Sequence, residues 1–101
     1  MAITRRQLRQ IIQEELEKPI LYELRIYEND DFLMLIHGGK AMEECQQISK
    51  QHIVKRIQDA YVNNPPWPQL NWRILSVYWN PKKKQIYRKI KDTGSIAEWQ
   101  S

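Results

Sequence analysis

Apolar residues first recur at helical spacing near the start of the chain. Leu8, Ile11, Ile12 and Leu16 mark one face of a helix. Thr4 is a good N-cap, Gln7 three residues on completes a capping box, and Ile3 and Leu8 sit where a hydrophobic staple forms. Pro19 pushes Lys18 out of helical geometry and ends the run. Residues 1–18 are therefore expected to hold an N-terminal amphipathic helix.

The period then changes. Across residues 20–28 it is two: Ile20, Tyr22, Leu24 and Ile26 face one way, and Leu21, Glu23, Arg25 and Tyr27 the other, as in a half-buried strand. Asn29, Asp30 and Asp31 supply turn chemistry. The unbroken apolar run Phe32-Leu33-Met34-Leu35-Ile36 reads as a central strand buried on both faces. Gly38-Gly39 separates it from a long helical stretch over residues 40–62. There the stripe Ala41, Cys45, Ile48 is rotated from the stripe Ile53, Ile57, Ala60, Tyr61. That rotation predicts a break near Ser49 to His52, or a helix that meets different elements at its two ends.

Pro65-Pro66-Trp67-Pro68 reads as an extended connector. Residues 72–91 follow as a β-hairpin. Trp72, Ile74, Ser76 and Tyr78 alternate with Arg73, Leu75, Val77 and Trp79. Asn80-Pro81 breaks the strand, Lys82, Lys83 and Lys84 fill the loop, and Ile86, Arg88 and Ile90 alternate with Tyr87 and Lys89 in the return strand. In the tail, residues 92–101, Thr93-Gly94 is expected to turn the chain and Ser95 to Glu98 to cap a short helical turn, with Trp99 packing it down.

The pattern predicts a single α+β domain over residues 1–101, in α-β-β-α-β-β order. Two hairpins combine into a four-stranded antiparallel sheet, and a long helix covers one face. Neither strand order nor oligomeric state follows from it.

Composition narrows the function classes. A chain of 101 residues, 42% hydrophobic, supports one core. A single cysteine, Cys45, excludes an internal disulfide and any multi-cysteine metal site. No apolar run approaches the roughly 18 residues that cross a bilayer. Arg5, Arg6 and Arg9 interrupt what would be a leader's apolar core, so no membrane association and an intracellular, cytoplasmic location are expected. The net charge of +4 is unevenly placed. Residues 1–70 carry nine Lys/Arg against ten Asp/Glu, whereas residues 71–101 carry seven against two. A basic cluster of that kind attracts polyanions, and lysines on a strand also discourage edge-to-edge aggregation.

Few residues suggest catalysis. His37-Gly38-Gly39-Lys40 lies between a strand and a helix, but the glycine spacing is not that of a phosphate loop, and Ala41 stands where a hydroxyl is needed. Cys45 and His52 share a helix face about two turns apart, too far for a nucleophile–base pair. The pairs Glu14-Glu15 and Glu43-Glu44 occupy adjacent positions that point in different directions. A non-enzymatic binding protein without cofactor or metal is expected.

The charges of the first helix run against its dipole. Arg5, Arg6 and Arg9 lie near the positive end, and Glu14, Glu15 and Glu17 near the negative end, forgoing roughly 0.3–1 kcal/mol for each placement. The segment ITRRQLRQIIQEEL, residues 3–16, resembles a short N-terminal segment found on many unrelated proteins of marine bacteriophages. The shared pattern is a capped start, basic residues, a leucine, paired isoleucines and glutamates. The resemblance implies a phage or marine origin and no particular fold or activity.

Two binding classes stand out. In one, the hairpin binds nucleic acid: Lys82, Lys83, Lys84, Arg88, Lys89 and Lys91 contact phosphates, and Tyr78, Trp79 and Tyr87 stack on bases. In the other, the chain is a protein-interaction or virion component. Its contacts are then Arg5, Arg6 and Arg9 on the first helix, Trp67 in the proline loop, or a sheet edge. Trp67 also has a plainer expectation, that of a plug in the core.

Overall fold

The computed structural model describes residues 18–100. The helix expected near the start, with Arg5, Arg6 and Arg9, lies outside the described residues. The described chain runs β1 (Leu21–Glu28), β2 (Asp31–Gly39), α1 (Met42–Gln46), α2 (Lys50–Ala60), a 3-10 turn (Trp67–Gln69), β3 (Leu70–Asn80), β4 (Gln85–Ser95) and a last 3-10 turn (Ala97–Gln100). This is a small α+β domain with one four-stranded antiparallel sheet, ordered β2-β1-β3-β4. Both expected hairpins form. They join through β1 and β3, which pair from Leu21↔Val77 to Glu28↔Leu70.

Alternation along the central strands builds the core. Leu24 and Ile26 on β1 and Leu70 and Ile74 on β3 turn to one face, where Ile53 and Ile57 of α2, Cys45 of α1, Trp67 and Ile96 pack on them. Burying an isoleucine of this kind contributes roughly 1.5–3 kcal/mol relative to leaving it in water. No described helix packs on the other face.

Four expectations need correction. First, β2 is an edge strand, not a central one, and Phe32 and Leu35 are exposed. The apolar run has another cause. Register shifts beside Leu24/Arg25 and Ile26/Tyr27 leave Leu33 and Ile36 without partners across the ladder, and both pack with the core. Bulges let neighbouring apolar residues reach one face. Second, the long helix is two helices, of 5 and 11 residues. The break falls just before the expected position: Ser49 caps α2, its Oγ accepting the His52 N–H at 3.1 Å. Third, the proline connector carries a 3-10 turn, and Trp67 is 4% exposed, a core residue with no surface to offer a partner. Fourth, Thr93 and Gly94 do not turn the chain. They lie within β4, opposite Arg73 and Trp72. A Cβ on Gly94 would stand 2.7 Å from the Trp72 ring, so the glycine answers a close approach.

Candidate nucleic-acid interface

β3 and β4 have 11 residues each, and their ladder continues past the point where β1 stops. β1 pairs with β3 only as far as Val77, whereas β3 and β4 go on through Tyr78↔Tyr87, Trp79↔Ile86 and Asn80↔Gln85. The last three pairs and the turn therefore form a two-stranded end projecting from the sheet.

Local chemistry shapes the tip. The Asn80 side-chain oxygen accepts the N–H groups of Lys82, at 3.0 Å, and Lys83, at 3.2 Å, an Asx-type turn that curls the chain after β3. Lys84 takes a left-handed φ of 50°, which returns the chain into β4. Lys82, Lys83 and Lys84 are all exposed. No Asp or Glu occurs between Asp59 and Asp92, so the tip has no acid of its own.

The hairpin residues expected to bind together are divided between the two sheet faces. On the helix-bearing face the Tyr78 and Tyr87 rings stack on each other, centroids 5.1 Å apart and planes 13° from parallel. The Lys89 ammonium stands 5.1 Å from the Tyr78 centroid and 6.0 Å from that of Tyr87. Tyr78 is buried, so its ring is not available to a base, contrary to the expectation from sequence. On the opposite face are Trp79, half exposed, and Arg88. Arg88 is already engaged: its Nε donates to Glu23 Oε1 at 2.7 Å. The same oxygen has Arg25 Nε at 3.1 Å. Lys91 sits at a register shift beside Ile74, well down β4 from the tip.

Sequence reasoning missed this ion cluster. Glu23 and Arg25 are two apart on one strand face, which alternation reveals, but Arg88 lies 65 residues from Glu23 and arrives only through the β1–β3–β4 order. A second cluster escaped for the same reason. The Arg73 guanidinium covers the Tyr27 ring at 4.2 Å and bonds Asp30 at 2.9 Å, while Arg25 covers Phe32 at 4.4 Å.

The remaining candidates carry little chemistry. Cys45 is buried, and burial first, then the charges of Glu44 and Glu23, push its thiol pKa up, away from a reactive thiolate. His52 is exposed on α2. His37, Gly38 and Gly39 belong to β2, and His37 Nε2 lies 3.6 Å from Glu44 Oε2. Among the described residues no group of three His, Cys, Asp or Glu could hold a metal ion. A cleft of about 320 Å³ opens between the helices and the sheet, walled by Leu24, Ile53, Trp72 and Trp99, with Lys50 and Asp92 also on its lining. Among the described residues no helix is long and apolar enough to cross a membrane.

No protein-family model, curated protein or solved structure matches the chain.

Proposed function

We propose that this protein binds nucleic acid, single-stranded or structured and with little sequence preference, through the projecting end of the β3–β4 ribbon. The observation that carries the reading is the tip: three exposed lysines on a two-stranded end that outruns β1, with no acidic residue in residues 60–91. Phosphate contacts of this kind confer affinity without sequence information. A two-stranded ribbon is also narrow enough to enter a major groove. Lys82, Lys83 and Lys84 carry the electrostatic part, with Trp79 and Tyr87 flanking them on opposite faces. The protein acts by binding, not by catalysis. It works in a host cytoplasm or a virion, as the resemblance of residues 3–16 to marine-phage segments implies.

Fluorescence anisotropy with short single-stranded and duplex oligonucleotides tests the reading. Binding is expected at about 50 mM salt, where phosphate contacts are strong. Replacing Lys82, Lys83 and Lys84 with Gln is expected to lower the slope of log affinity against log salt by about 2–3. No binding to any oligonucleotide at that salt, or an unchanged slope, overturns it.

A second reading has its own support. Phe32 and Leu35 are exposed on the edge strand β2, which favours a protein contact at that edge. A stoichiometric complex that survives high salt supports this reading and not the first.

A further inference from the structure

The sheet face on which no described helix packs is not a polar face. Phe32, Leu35, Trp79, Ile86 and Ile90, five of the exposed large apolar side chains, all point to it by strand alternation and register. On its β3–β4 half, Trp79, Ile86 and Ile90 are about half exposed around Leu75 and Val77, which are only 5% and 2% exposed. Arg88 lies between Ile86 and Ile90 on this face, but an apolar cluster of this size on a sheet marks a packing surface.

The chain itself supplies an occupant. Residues 1–17 enter the described structure at Lys18, and the Ile20 N–H donates to the Val77 carbonyl at 2.7 Å. The segment is thus tethered by two residues, Lys18 and Pro19, to the strand at the centre of the patch. Its stripe of Leu8, Ile11, Ile12 and Leu16 spans about 12 Å as a helix. The strand distance from Leu75 to Trp79 is about 13 Å. The lengths match.

We propose that residues 4–17 dock as an amphipathic helix on the open sheet face, over Leu75, Val77, Ile86 and Ile90, antiparallel to β1 and with Trp79 at the rim. The lysine tip lies beyond the covered area, and Trp79 at the rim is the one residue shared with the proposed nucleic-acid interface.

Methyl NMR on the full chain tests it. Nuclear Overhauser contacts from Ile11, Ile12 or Leu16 to Val77, Ile86 or Ile90 are expected in a uniformly labelled sample. They are expected to vanish in an isotope-filtered mixture of labelled and unlabelled chains, which reports only contacts between molecules. Ile12→Asp is expected to abolish them and to move the Ile86 and Ile90 methyl signals, leaving those of Ile53 and Ile57 in place. Contacts seen only between chains assign the face to a second copy and overturn the proposal. So does a folded wild-type chain that shows none.

Discussion

The two faces of this sheet are made by the same four strands and treat apolar residues differently. On the helix-bearing face, Ile26, Ile57, Leu70 and Ile96 are essentially inaccessible to water. On the opposite face, side chains of the same type stand half exposed around a closed centre, interleaved with the Glu23–Arg25–Arg88 and Arg73–Asp30 pairs. Alternation alone assigns residues to faces. It does not say which face acquires a cover, because that depends on where the intervening helices go. Here α1 and α2 both pack on the face of Leu24 and Ile74. The domain thus has one dry core and one mixed surface, and substitutions on the two faces should behave differently.

The largest contrast is expected from Ile57→Asp. Ile57 is 0% exposed in the middle of α2, and no cation is part of its core cluster. A carboxylate there is buried without a partner, a change at the severe end of single-substitution effects, about 4 kcal/mol or more. Circular dichroism and chemical denaturation should show a chain that is unfolded or close to it. A stable variant would mean that α2 can lift from the sheet and that the covered face is not the main core.

A smaller loss is expected from Gly94→Ala, which tests how closely the covered face is packed. The new Cβ would meet Trp72 at 2.7 Å, and the indole cannot retreat freely because it packs against the core. Overpacking of this kind costs roughly 1–3 kcal/mol. Urea denaturation should place the variant in that range. A neutral result would show that Trp72 has room to shift into the cleft that it lines with Trp99.

Much of this arrangement was legible in the residues, and the limits have physical causes. Local signals worked: the alternation of residues 20–28, the Asn80-Pro81 break, and the rotated stripes that foretold an interrupted helix. The failures share one origin. A run such as Phe32 to Ile36 reads the same for a strand buried on both faces and for an edge strand with bulges. Only the order β2-β1-β3-β4 separates the two. Gly94 reads as a turn residue until Trp72 is placed opposite it. In the candidate interface the three tip lysines were visible as a charge run. Tyr78 and Arg88 were not recognisable as already partnered, because Tyr87 across the ladder and Glu23 two strands away reach them only through register. Contacts set by strand order carry no local signature.

The smallest effect, and the one that most directly sharpens the contrast between faces, is expected from Leu35→Asp. As part of an apolar run, Leu35 looks like a core residue whose replacement by a carboxylate would unfold the domain. In the structure it is exposed on the edge strand and paired across the ladder with Arg25. A carboxylate at residue 35 remains in water and gains a guanidinium on the neighbouring strand, an opposite-charge pair worth roughly 0.2–1 kcal/mol. Against this stands the removal of a leucine that is only partly covered, since its side chain is 43% exposed. The two effects nearly cancel, and the stability should change by no more than about 0.5 kcal/mol, as for ordinary surface substitutions. The docking proposed for residues 4–17 lies over the β3–β4 half and leaves residue 35 outside the covered area, so it does not alter this expectation. A loss of several kcal/mol in urea denaturation would show that the β1–β2 half of the open face is covered too, extending the cover across the whole sheet.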